Sequence, residues 1–168
     1  MRPFLAAALL ACAGCEARRE APREERRQVV EGLSVSQSEK GSPSWTLKSP
    51  FAVMREDSKL ATLDKPSMEF YRDGKAVSRV TALSGEADMN THDVRLSSSV
   101  VLDSFDDNSR LTTTELLYSS ARGKFVTQAD ILVKRPEGVL RGRGLEASPD
   151  LSEIRIFNQR STFTGAPN

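Results

Sequence analysis

The chain has 168 residues, with 24 Lys and Arg against 23 Asp and Glu, and 38% of its residues are hydrophobic. That length suits one domain, and a near-neutral balance carries no electrostatic footprint for nucleic acid. No apolar run approaches the roughly 20 residues of a membrane-spanning helix, and the two cysteines, Cys12 and Cys15, offer no disulfide framework.

The chain begins with a single positive charge at Arg2, an apolar core from Phe4 to Ala11, and small residues around Cys12-Ala13-Gly14-Cys15. That order describes a secretory leader, and a cysteine after Ala-Gly resembles the cleavage site of a bacterial lipoprotein. Residues 1–14 are then the signal peptide and Cys15 the acylated N-terminus, with Cys12 as the alternative. Acylation turns a leader too short to span into an anchor. Residues 15–28 are dominated by charges of both signs, which cannot bury enough surface to fold alone, so they read as a tether.

The folded domain is expected over 29–165. Leu33 and Val35 alternate with serines as a first strand, and Lys40-Gly41 supplies a turn. A second strand follows, with Trp45 and Leu47 on one face. Residues 49–59 are ambiguous between strand and a short helical turn. Met68 and Phe70 point inward from the next strand, and Asp73-Gly74 favours a tight primed turn before the return strand 76–82.

From 85 to 163 the chain repeats loosely. Glu86-Ala87, Glu115-Leu116 and Glu146-Ala147 open the copies, 29 and then 31 positions apart. Each is followed by a polar turn and an alternating strand: Asp93-Val94-Arg95-Leu96, Lys124-Phe125-Val126-Thr127 and Glu153-Ile154-Arg155-Ile156. The first two add Val100-Val101-Leu102 and Ile131-Leu132-Val133; the third ends at Thr162-Phe163. A period near 30 with apolar spacing of two describes stacked hairpins. Roughly twelve or more short strands predict an all-β roll or sandwich.

Signals for catalysis or metal binding are weak. His92 is the sole histidine and lies in a polar turn beside Asp93; a general base needs a positioned partner and a nucleophile. Asp103, Asp106 and Asp107 lack the glycine and terminal glutamate of a calcium loop. Gly142-Arg143-Gly144 precedes no helix, so it reads as a bulge or a close backbone approach and not as a dinucleotide site. No catalytic residue, metal or cofactor is predicted.

Taken in order, these segments resemble one family. Gly32-Leu33-Ser34-Val35, Trp45-Thr46-Leu47, Pro66-Ser67-Met68-Glu69-Phe70-Tyr71, Ala82-Leu83-Ser84-Gly85, Leu111-Thr112-Thr113, Leu116-Leu117-Tyr118 and Gly142-Arg143-Gly144-Leu145-Glu146-Ala147 are similar to the lipopolysaccharide-export component LptC. Ser98 departs from it, since such proteins often have glycine before the Val-x-Leu strand. The resemblance implies a twisted, open, boat-like antiparallel β-jellyroll. It also implies a periplasmic, inner-membrane-anchored subunit without a reaction of its own. Such a subunit takes lipopolysaccharide from the permeases of an ABC transporter and passes it along an apolar groove to a bridge of similar jellyrolls. Many members use a membrane-spanning helix where this chain offers a lipidated cysteine.

Strand alternation nominates the groove lining: Trp45, Leu47, Met68, Phe70, Val94, Leu96, Val100, Leu102, Leu116, Tyr118, Phe125 and Ile131. Arg141 and Arg143 are candidates for head-group phosphates, and Ile154, Ile156 and Phe163 for the partner edge. The alternative is a structural lipoprotein that pairs by edge strands around a filled core.

Overall fold

The structure, a computed structural model, describes residues 27–39 and 41–159. The leader, its cysteines, the tether to residue 26, Lys40 and Phe163 lie outside the described residues. Eleven strands form one antiparallel sheet: β1 (Arg27–Glu39), β2 (Ser42–Arg55), β3 (Leu60–Asp64), β4 (Ser67–Arg72), β5 (Lys75–Thr81), β6 (Ser84–Asp88), β7 (Val94–Ser104), β8 (Arg110–Ser119), β9 (Lys124–Arg135), β10 (Gly138–Ala147) and β11 (Ile154–Gln159). No helix occurs among the described residues. Residues 49–55, ambiguous in sequence, continue β2 as strand.

The long strands are shared between two neighbours. The first half of β2 pairs with β4 and the second half with β3; one half of β7 pairs with β6 and the other with β5. The order is therefore β1, β2, then β4 and β5 alongside β3 and β6, then β7 to β11. Each break falls on one line. That line passes through Gly32, Ser49-Pro50, Lys65-Pro66, Ala82-Leu83, Ser98-Ser99, Thr114 and Gly144, where the ladders skip or shift register. Gly32, Lys65, Ser98, Ser99 and Gly144 have φ between 45° and 77°. Bulges of this kind bend a sheet, and the sheet is creased into two facing walls.

Creasing frees backbone groups that would otherwise be buried without partners. Hydroxyls and neighbouring strands replace the lost ladder bonds. The Ser49 hydroxyl lies 2.7 Å from the Asp64 carbonyl and 2.6 Å from that of Phe51. Thr113 Oγ1 donates to the Asp130 carbonyl at 2.9 Å, Ser84 Oγ to that of Ser97 at 3.1 Å, and the Ala129 amide donates to Thr127 Oγ1 at 3.0 Å. The Leu83 amide donates to Ser98 O at 2.9 Å, and the Lys65 amide to Leu83 O at 3.0 Å. Ser98 holds φ 65°, a region where glycine is free of steric cost.

The free ends of the walls carry the turns. On the first wall these are the β1–β2, β4–β5, β7–β8 and β9–β10 turns; on the second, β2–β3, β6–β7, β8–β9 and the β10–β11 loop. Asp73 and Gly74 both have positive φ (52° and 75°), as the primed turn requires. The sequence repeat acquires a physical meaning here. One period runs along the second wall, back, across the crease, along the first wall and back. Ala87, Leu116 and Ala147 stand at equivalent buried sites on the second wall.

At the β11 end, Gly142 and Gly144 allow close approach. A Cβ on Gly142 would lie 2.4 Å from Ile156 Cγ2 and 2.8 Å from Asn158 O, and one on Gly144 3.0 Å from Phe157 Cδ2. Gly142→Ala is therefore expected to push β11 off β10. The predicted cost is about 1–3 kcal/mol, read as a lower unfolding midpoint together with faster hydrogen exchange of the β11 amides. Unchanged exchange in β11 would refute this account of the glycine.

Candidate functional site

The space between the walls is the largest feature that strand alternation builds. All twelve residues nominated for its lining point into it. Trp45, Leu47, Met68, Phe70, Val100, Leu102 and Ile131 come from the first wall, and Val94, Leu96, Leu116, Tyr118 and Phe125 from the second; none is more than 6% exposed. They belong to one apolar cluster, joined by Val80, Leu111, Val133, Leu145 and Leu151, which alternation alone did not select. The interior is filled by these side chains.

Away from the crease the walls meet through aromatic rings. Phe70 of β4 packs edge-on to Tyr118 of β8 at 4.9 Å and to Phe125 of β9 at 5.3 Å; Trp45 meets Tyr118 at 6.1 Å. Such edge-to-face pairs add about 0.5–1.5 kcal/mol each beyond burial. Burial pushes the pKa of the Tyr118 hydroxyl up, and the neighbouring Asp93 carboxylate adds to the rise. A cavity of 340 Å³ opens beside these rings, lined by Trp45, Phe70 and Tyr118 on one side and by Ser148, Pro149 and Asp150 on another.

Residues 148–153, between β10 and β11, close the mouth next to that cavity. Leu151 is fully buried, with φ 59°, and Asp150 is 8% exposed. Asp150 Oδ1 accepts from the hydroxyls of Ser148 (2.6 Å) and Ser152 (2.8 Å) and from the Ser152 amide (3.1 Å). Its Oδ2 pairs with Arg72 at the end of β4, which also reaches Asp106 at 3.2 Å. Arg135 of β9 donates from Nη2 to the Leu151 carbonyl at 2.9 Å. A polar turn was expected here, but not the burial of Leu151 within it. The Ser148-Pro149-Asp150-Leu151-Ser152 string reads as an ordinary turn, although serines flanking an aspartate are the signature of a self-bonded one.

A second concavity, of 780 Å³, lies at the β11 end and is lined by Asp130, Ile131, Arg141, Gly142, Arg143, Asn158 and Gln159. The two arginines proposed for head groups are exposed there. Ile154 and Ile156 are half-buried on β11, which among the described residues pairs along one side only, with β10. At the opposite end, among the described residues, β1 pairs only with β2.

The candidates for other chemistry are scattered. His92 is exposed in the β6–β7 turn, with its amide bonded to Asp88 O at 2.8 Å. Asp103 pairs with Arg110, Asp106 with Arg72, and Asp107 accepts from Ser109. No group of three or more metal-ligating side chains is gathered among the described residues.

Burial raises the pKa of Asp150, but the Ser148 and Ser152 hydroxyls, the Ser152 amide and Arg72 outweigh it and hold the value at about 2, below the 3.8 of a free aspartate. A depressed carboxylate stabilises the fold above the unfolded pKa, and that contribution is lost as pH falls from about 4 toward 2. Asp150→Asn is expected to cost on the order of 1–2 kcal/mol at pH 7 and to flatten the acid limb of unfolding free energy against pH. An unaltered acid limb would contradict the assignment.

A model of the lipopolysaccharide-assembly, LptC-related family matches residues 8–163. No curated protein matches the chain. The match takes in all eleven strands, so the crease, both walls and both edges lie within it. This chain belongs to the LptC-related lipopolysaccharide-assembly family and has a role in lipopolysaccharide transport.

Proposed function

We propose that this chain is a periplasmic carrier subunit that holds lipopolysaccharide by its acyl chains between the two walls. It receives the lipid from the permeases of an inner-membrane ABC transporter and passes it to a partner β-jellyroll. The chain itself catalyses no reaction, and movement is driven by the transporter's ATPase. The observation that carries this reading is the pairing of a continuous apolar interior with two one-sided edge strands. β1 and β11 stand at opposite ends of the sheet. An edge strand presents unpaired backbone groups and invites another strand. Adding a jellyroll at β11, through Ile154 and Ile156, extends both walls in register. Arg141 and Arg143 stand beside that edge, where bidentate guanidinium groups suit phosphates.

The anchor follows from the leader. Cys15, once acylated, tethers the domain to the inner membrane through the charged segment before β1. Cys15→Ala is expected to abolish acyl labelling of the chain, and Cys12→Ala to preserve it; the reverse pattern moves the anchor to Cys12.

The alternative, an interaction lipoprotein that carries no lipid, is favoured by one observation. The nominated lining residues already pack against one another. Photo-crosslinking separates the two readings. A photoreactive residue at Phe70 or Tyr118 is expected to yield a lipopolysaccharide adduct, and one at Ile156 an adduct with a β-rich partner. Partner adducts without any lipid adduct, across Phe70, Tyr118 and Leu102, would overturn the carrier reading in favour of the scaffold.

A further inference from the structure

A carrier with a filled interior must make room. The side chains that fill this one are carried almost entirely by strands. Among the described residues, the buried apolar side chains outside them are Pro66 and Ala82, in the short β3–β4 and β5–β6 links at the crease, and Leu151, in the longer β10–β11 loop. Displacing a strand-borne side chain breaks ladder bonds on both sides. Displacing Leu151 breaks the bonds of one loop: Leu151 N to Ser148 O (3.0 Å), the serine bonds to Asp150, and the two arginine contacts.

Those arginine contacts have a further property. Arg72 and Arg135 belong to the first wall's free end, whereas the loop grows from the second. The loop thus offers the opposite wall a carboxylate, at Asp150, next to a buried apolar side chain, at Leu151. An anion joined to an apolar chain is the chemistry of a phosphorylated acyl lipid. Arg135 Nε is also buried with no hydrogen-bond partner, so a donor stays unsatisfied while the loop is in place. The 340 Å³ cavity lies between the loop and the Trp45, Phe70 and Tyr118 rings, so space for a chain already begins there.

We propose that residues 148–153 occupy, within the same chain, a binding site for an anionic acyl lipid, with Asp150 in the place of the phosphate and Leu151 in the place of the acyl chain. The site comprises Arg72 and Arg135 at the mouth and Trp45, Phe70 and Tyr118 behind them. Loading is an exchange. The loop lifts, the two guanidinium groups transfer from loop to head group, and the chain takes the volume of Leu151. Arg72 then exchanges one anion for another, and Arg135 gains an acceptor for the Nε that the loop leaves unsatisfied. This inference rests on the carrier reading and specifies how its interior opens.

Hydrogen exchange on the full chain, with purified lipopolysaccharide as probe, tests it. The amides of Leu151, Ser152 and Glu153, each bonded within the loop, are expected to lose protection when the lipid is added, while those of β8 keep theirs. Inorganic phosphate alone is expected to leave the loop protected; full deprotection by phosphate would overturn the acyl part of the site. In parallel, Asp150→Asn is expected to raise the rate of lipid adduct formation from a photoreactive residue at Phe70, by roughly five- to thirty-fold for a loosened latch. A lipid adduct at Phe70 with unchanged loop protection, and with no gain in Asp150→Asn, would refute the exchange and leave the carrier reading standing. No adduct in either chain would refute both. Circular dichroism at the assay temperature shows whether the variant is folded; if it is not, the exchange measurement on the parent chain decides alone.

Discussion

The crease governs everything else in this molecule. A single sheet of eleven strands has one dry face to cover, and it covers that face with itself. Folding the sheet along one line requires every strand or strand pair to break there. The breaks are accommodated by bulges, by glycine at Gly32 and Gly144, and by residues such as Lys65 and Ser98 held at positive φ. Each break strands peptide groups in a dry place. Ser49, Ser84, Thr113 and Thr127 answer this with their hydroxyls. The burial of Ser49, Thr113 and Thr127 looks anomalous for polar residues until the missing ladder bonds are counted. An apolar residue at Ser49 would remove its bond to the Asp64 carbonyl, and such a bond generally contributes about 0.5–1.5 kcal/mol.

Much of this was legible in the residue pattern, for a simple reason. A wall with one wet face and one dry face imposes a period of two. That is why Trp45, Leu47, Met68, Phe70, Val94, Leu96 and the rest of the nominated lining face inward. The repeat was legible because each circuit of the crease demands nearly the same number of residues, 29 and then 31. The crease itself was not. A strand that bends in the middle looks, to alternation, like two strands with a turn between them. The expectation of twelve or more short strands becomes eleven among the described residues, several of them long: β2 has 14 residues and β1 has 13. Ser49-Pro50 reads locally as a stop, yet β1 runs alongside and carries β2 past it. The loop at 148–153 escaped for a different reason. One leucine in a polar string has no periodicity, so its burial is a property of the mouth it fills and not of its neighbours in sequence.

The two ends of the sheet differ in how they meet water. At the β1 end the outer face carries Val29 and Phe51, exposed by 70% and 51%. At the β11 end Gly142 and Gly144 draw the last strand tightly onto β10, and arginines flank the edge. An edge pressed close by glycine keeps the curvature of the sheet up to its final strand. A strand added there meets a wall already bent to the right shape, so addition needs little deformation of either partner. Preorganisation of this sort lowers the ordering cost of association.

A filled interior and a carrying function are compatible on physical grounds. An apolar trough lined by these side chains cannot stand empty in water. Either the walls collapse together or something apolar occupies the gap, because unfilled apolar volume is destabilising in proportion to its size. In the absence of lipid the occupant must come from the chain itself. The aromatic rings of Trp45, Phe70, Tyr118 and Phe125 and the side chain of Leu151 serve as that occupant. On the carrier reading proposed above, an incoming acyl chain replaces contacts of the same kind, and the net change per methylene is small. A small net change is what transfer requires. A chain bound with the full burial energy of about 0.8 kcal/mol per methylene would never leave, whereas one that only exchanges places with the protein's own side chains can be moved onward by modest work.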